Sequence, residues 1–168
     1  MLTIEPMTTD DWSDVRRIYA QGIATGDATL EREAPDWGHF DRSHRHDCRL
    51  VARARPGGSV LGWTALTAYS SRRVYAGVAW ESVYVGEESR GGGVGRALLD
   101  AVIPASEAAG LWTLLAGVLA DNTASLNLHT AVGFRRVGVQ HAMGQDASGR
   151  WRDVVLLERR SAIVGPAS

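Results

Sequence analysis

The sequence predicts a mixed α/β fold, in the α+β sense, with one sheet of about six or seven strands flanked by about four helices. Strand patterns and helical patterns interleave along the 168 residues instead of separating into blocks. A glycine-rich turn, Gly91-Gly92-Gly93-Val94-Gly95, lies between a strand pattern and a helical one. The chain closes on two strand patterns joined by a turn, which reads as an antiparallel pair.

Taken in order, Leu2 to Ile4 can start a strand, and Thr8 or Thr9 offers an N-cap ahead of acidic first-turn residues. The helix that follows runs from about Asp10 to Ile23, with Trp12, Val15, Ile18, Tyr19 and Ile23 near one face. Residues 24–48 are polar and carry few regular signals, enough for a loop and a short helix. From Arg49 the pattern turns to strands: "RLVARA", a Pro56-Gly57-Gly58 turn, "SVLGWTALTAY", then "GVAWESVYV". Behind the glycines, Val94, Ala97, Leu98, Ala101, Val102 and Ala105 recur at helical spacing, and Gly110 can end the helix. Pro104 should kink or split that helix, because it lacks a donor and crowds the preceding turn.

"LWTLLAGVLA" is short and apolar, a buried strand. Asp121 or Asn122 then caps a short helix that stops at Gly133. The closing strands are about Arg135 to Met143 and Trp151 to Glu158. With no internal repeat or linker, residues 1–160 read as a single domain and 161–168 as a frayed C-terminal tail.

Composition removes several function classes. The net charge of −1 gives no global attraction to nucleic acid or membrane, so any anion site must be local. All 18 basic residues are arginine, which excludes a Schiff-base lysine and the lysine of a Walker A loop. Cys48 stands alone, so no intrachain disulfide forms and a reducing cytoplasm is the expected location. The acidic start does not read as a secretory signal, and the longest apolar run, Leu111 to Ala120, is too short to span a bilayer. His44, His46 and Cys48 alternate as potential ligands, but no second cluster completes a metal site, and none is expected.

A strand, a glycine turn and a helix in that order gather free N–H groups and the positive end of a helix dipole around one point, which suits a phosphate. A dinucleotide fingerprint fails, since Arg96 falls where the third glycine of G-x-G-x-x-G would be. The order "ESVYV", "RGGGVGRALL", "NTASLNLHTAVGF" resembles the GNAT superfamily of acyl-CoA-dependent N-acetyltransferases. "IYAQGIATGDATLE", "YAGVAWESVYV" and "GRWRDVVLLERRS" resemble its phosphinothricin acetyltransferase-like members, over about Leu2 to Arg160.

The resemblance implies a mostly antiparallel sheet splayed in a V between "WESVYV" and "LLAGVLA", a homodimer, and transfer from acetyl-CoA to the primary amine of a small amino acid or analogue in a ternary complex. Another small amine, a protein N-terminus or a non-catalytic acyl-CoA-binding role are its alternatives. Val83, Tyr84 and Val85 would line the acetyl-pantetheine arm, with the Val85 N–H on the thioester carbonyl. Arg90, Gly91, Gly92, Gly93, Val94, Gly95 and Arg96 would wrap the pyrophosphate, and Asn122 and Ser125 would touch the coenzyme again. His129 falls where the superfamily protonates the leaving thiolate. The family's glutamate position holds Trp80 here, and the carboxylate is displaced by one, to Glu81. Strand alternation aims Glu81 away unless a β-bulge turns it back as general base; on a regular strand, proton removal falls to water or His129. Trp80 would wall the acceptor pocket, and Arg72, Arg73 and Tyr75 are candidates to hold an acceptor carboxylate.

Overall fold

The computed structural model describes residues 2–166; Met1, the first residue of the expected domain, and residues 167–168 of the expected tail lie outside the described residues. The elements are β1 (Thr3–Pro6), α1 (Trp12–Thr25), α2 (Trp37–Ser43), β2 (Leu50–Arg53), β3 (Val60–Ala68), β4 (Val78–Val85), α3 (Val94–Ala108), β5 (Thr113–Leu119), α4 (Thr123–Ala131), β6 (Arg135–Gln145) and β7 (Trp151–Arg160). They form one seven-stranded sheet in the order β1-β2-β3-β4-β5-β7-β6. Every neighbouring pair is antiparallel except β4 and β5. The mixed, mostly antiparallel sheet with four helices is the expected fold.

Alternation along the strands sorts side chains onto two faces. Trp63 and Ala65 of β3 pack with Val15, Ile18 and Phe40 on the α1/α2 side. Leu66 of β3, Ala79 of β4 and Ala116 and Val118 of β5 pack with Leu99, Val102 and Ile103 of α3 on the other. On β4, Tyr84 belongs to the α1/α2 face, where its ring stacks on Trp63 at 4.7 Å, while Val83 belongs to the α3/α4 face.

Of the two outcomes expected at Pro104, a split does not occur: α3 runs unbroken from Val94 to Ala108. Pro104 and Asp100 are both exposed, so water can serve the Asp100 carbonyl that the missing N–H leaves free. The start of the tail is anchored rather than frayed. Ser161 is buried, its N–H bonds the Trp112 carbonyl at 2.9 Å, and its Oγ accepts from the N–H groups of Ile163 and Val164.

Candidate active site

The sheet opens at its centre. β4 and β5 pair only at Val78–Thr113, Ala79–Leu114 and Trp80–Leu115, and beyond Trp80 they separate. The Gly86 N–H bonds the Leu61 carbonyl, so even-numbered residues of β4 exchange hydrogen bonds with β3 and odd-numbered ones point their backbone groups away from it. Gly77 shows the consequence: its carbonyl accepts from Trp112 and Thr113 at the start of β5. Past the split, the backbone groups of Val83 and Val85 therefore face the gap without a strand partner. A sheet interior with an unfilled edge is a place for an extended polar chain to bind. This backbone pattern selects Val83 and Val85, whereas Tyr84 is committed to β3 and contributes its side chain.

The gap leads into a cleft of about 500 Å³ lined by Val83, Tyr84, Val85, Arg90 and the turn after β4. Gly91 (φ +75°) and Gly93 (φ +80°) adopt left-handed backbone that a side chain would strain, and Gly93 is the N-cap of α3. The first bond of α3 runs from the Ala97 N–H to the Gly93 carbonyl, so the N–H groups of Val94, Gly95 and Arg96 precede it and stay open to the cleft. The Gly92 N–H is turned back onto the Ser89 carbonyl at 3.3 Å, and Gly92 does not line the cleft. Arg96 is half exposed and paired with Asp100; Arg90 Nε reaches the Val85 carbonyl at 3.4 Å. An acyl-coenzyme A fits this set of groups: open N–H donors and two arginines for phosphates, and an unpaired edge for the amide-bearing arm.

A smaller chamber of about 70 Å³ adjoins the cleft, with Ala28, Val83, Tyr84, Asn122 and Ser125 lining both. Glu81 and His129 line its far wall. β3 and β4 pair without a register shift from Gly62–Val85 to Ala68–Ala79, so there is no bulge on that side of β4. Glu81 nevertheless reaches the chamber, because α4 carries His129 over the same face. The His129 Nε2 lies 2.9 Å from Glu81 Oε2, and both side chains are almost wholly buried. Glu81 Oε1 accepts from Thr64 Oγ1 at 3.3 Å. On the other side of the ring, Nδ1 lies 2.7 Å from the Ser125 carbonyl and 3.3 Å from Ser125 Oγ. Burial opposes a proton on His129, but the hydrogen bond and charge of Glu81, with the Ser125 carbonyl, outweigh it and raise its pKa above the ordinary value of 6.5.

These features meet one family of enzymes. A model of the acetyltransferase (GNAT) family matches residues 10–134. The chain belongs to the GNAT family. It is 36% identical over 166 residues to a phosphinothricin N-acetyltransferase from Alcaligenes faecalis, covering 94% of this chain and 81% of that protein. It is 32% identical over 119 residues to an L-methionine sulfoximine/L-methionine sulfone acetyltransferase from Pseudomonas aeruginosa, covering 71% of this chain and 69% of the relative. Among solved structures, a phosphinothricin acetyltransferase from Sinorhizobium meliloti in complex with AcCoA superposes with a TM-score of 0.85 at 26% identity, over 99% of this chain and 90% of that one.

Within this GNAT chain, not every expected residue reaches the site. Trp80 lies on the α1/α2 face, 6.2 Å from the Tyr69 ring, and lines neither cavity. Arg72 lies over the Tyr75 ring at 5.3 Å in an exposed turn, and Arg72, Arg73 and Tyr75 also lie outside both cavities. His44 is stacked on Phe40, and burial above all pushes the Cys48 thiol up to about 11; His44, His46 and Cys48 form no metal cluster among the described residues.

Sequence reasoning missed the loop after α1. Asp27 and Ala28 line the cleft, and the Asn122 amide ties the loop down by donating to the Asp27 carbonyl at 3.1 Å while its Oδ1 caps α4 at Ser125 N. Arg152, buried on β7, bonds the Gly26 carbonyl and Asp27 at 2.9 Å each, and Asp121 and Asp146 beyond. No pattern in residues 24–48 announces this, since the partners lie more than 90 residues away.

Proposed function

We propose that this chain is an acetyl-CoA-dependent N-acetyltransferase for the primary amine of a small amino acid or amino-acid analogue, of the phosphinothricin or methionine sulfone type. The observation that carries the proposal is the unpaired β4 edge at Val83 and Val85, which joins the glycine-loop cleft to a chamber walled by Glu81 and His129. Acetyl-CoA supplies the activated thioester. Val94, Gly95 and Arg96 N–H groups, with Gly91 and Gly93 shaping the turn and Arg90 adding charge, hold the pyrophosphate; the Val85 N–H donates to the thioester carbonyl oxygen. Glu81 accepts the proton of the attacking amine, directly or through a water in the chamber. A chamber of about 70 Å³ favours a small acceptor over a protein terminus.

Residues 1–160 are read as a single acetyltransferase domain, with 161–168 as a C-terminal tail. No helix among the described residues is long and apolar enough to cross a membrane. A cytoplasmic protein with no membrane, nucleic-acid or metal partner agrees with a net charge of −1 and a single cysteine. A homodimer is proposed through the terminal strands, where Val137, Met143 and Trp151 are exposed; a monomer in light scattering at micromolar concentration would refute it. The deciding test of activity is release of free thiol from acetyl-CoA with a panel of amino acids and analogues. A protein whose melting temperature rises with acetyl-CoA but which turns over no amine would be a binding protein instead.

A further inference from the structure

The protons around His129 can be assigned from its partners. A backbone carbonyl only accepts, so the Nδ1 atom 2.7 Å from the Ser125 carbonyl carries a hydrogen. The opposite nitrogen faces a carboxylate at 2.9 Å, and the second oxygen of that carboxylate takes a hydrogen bond from Thr64. Against an ionised Glu81 the ring donates from both nitrogens, and the buried pair is then an imidazolium facing a carboxylate, with zero net charge. Among the described residues, Glu81 is the one charged group acting on the ring. The remaining neighbours are Ser125 on its own helix, Thr64 behind the carboxylate, and the Phe134 ring edge-on at 5.1 Å.

Ser125 is the outlet of this pair. It precedes His129 by one helical turn, which puts both on one face of α4. Its Oγ lies 3.3 Å from Nδ1 and shares that hydrogen with the carbonyl, so the hydroxyl is an acceptor toward the ring and its own hydrogen is free to point elsewhere. Ser125 lines both the cleft and the chamber, whereas His129 lines only the chamber and is 2% exposed. We infer that Ser125 is a catalytic residue of the proposed acetyl transfer, the hydroxyl that hands a proton to the sulfur of the departing coenzyme A and is resupplied by His129.

The step balances. The amine nitrogen forms a bond to the acetyl carbon, the carbon–sulfur bond breaks, and its electron pair leaves on sulfur. Sulfur takes the Ser125 hydroxyl proton, Oγ takes the proton from Nδ1, and the surplus amine proton goes to Glu81. The pair gains one proton at the carboxylate as it loses one at the ring, so a buried site never carries an uncompensated charge. Solvent exchange through the open cleft restores the starting tautomer.

This inference rests on the acetyltransferase reading, and the experiment separates the two. The Ser125→Ala variant keeps the backbone N–H that Asn122 caps, so it should fold. In the unliganded protein at pH 7, nitrogen NMR should show both His129 ring nitrogens protonated in the wild type and in Ser125→Ala, and only one in Glu81→Gln. Calorimetry should give coenzyme A affinities for Ser125→Ala within about twofold of wild type. Turnover with acetyl-CoA should fall by about 10- to 100-fold, at the low end for general acid catalysis because a thiolate already leaves well. Ser125→Thr should recover most of the loss, and the deficit should shrink toward unity with an acetyl donor whose leaving thiol is strongly acidic. Full activity of Ser125→Ala, an equal deficit with both donors, or a singly protonated His129 in the wild type would each overturn the relay alone. A wild type that binds coenzyme A and acetylates no amine would overturn the activity and the relay together.

Discussion

Replacing Glu81 with glutamine keeps the shape of the side chain and removes its charge. The bond lost spans 2.9 Å between two side chains with 3% and 1% exposure, so screening by water is slight. Charge-assisted bonds of this kind contribute about 1.5–3 kcal/mol, and the glutamine amide can donate to a neutral Nε2 and recover about 1 kcal/mol. A net destabilisation of about 1–2 kcal/mol is expected where His129 is charged in the wild type. Its sign with pH follows from the raised pKa: the folded protein binds the proton more tightly than the unfolded chain, so this stabilisation is complete below 6.5 and is lost as pH rises through the raised folded value. Urea unfolding at pH 6, 7.5 and 9 should therefore show the penalty of Glu81→Gln greatest at pH 6 and shrinking upward. A penalty that is flat or grows with pH would refute an imidazolium held by Glu81. In turnover the same variant should lose roughly 10²–10⁴ with coenzyme A affinity little changed, and full activity would eliminate Glu81 as the base.

Three further outcomes are expected. Gly93→Val places a branched side chain at φ +80° and should cost about 1–3 kcal/mol of stability; in the folded fraction coenzyme A affinity should drop at least about tenfold by calorimetry, and an unchanged affinity would remove the glycine turn from the binding site. Arg152→Met should release the loop at Gly26–Asp27, lowering stability by about 2 kcal/mol and raising KM for the amine more than it lowers kcat; an unchanged KM would show that the loop does not shape the acceptor side. Gly77→Ala should be severely destabilising in thermal melts, because a Cβ there would lie 1.9 Å from the Trp112 ring, and a melting temperature within a degree of wild type would contradict that packing.

The parts of the fold that sequence made legible are those whose cause is local. Helical spacing in α1 and α3, the glycine turn between β4 and α3, the Asn122 cap and the apolar run of β5 each carry their own signal within a few residues. The splay beyond Trp80 was expected only through resemblance, since no residue of β4 or β5 marks where pairing stops. The site is less legible because its bonds join distant segments: Glu81 to His129 across 48 residues, Asn122 to Asp27 across 95, and Arg152 to Asp27 across 125. At Pro104 a strong local signal does not end the helix, because its helix face is exposed.

Alternation also explains what the Trp80–Glu81 pair does to the chemistry. Tyr84, Ser82 and Trp80 share the α1/α2 face of β4, and Val83, Glu81 and Ala79 share the other. A carboxylate at position 80 would stand apart from α4, with no histidine opposite. At position 81 it meets His129 and Thr64 in a dry pocket, where an isolated charge would be costly and a neutral pair is not. Acetyl transfer moves one proton from nitrogen to sulfur, so a pair that takes a proton at one end while yielding one at the other matches the reaction without changing its own charge. Shifting the carboxylate by one residue thus puts proton removal and proton delivery on the same face of the strand, with Ser125 as their contact to the cleft.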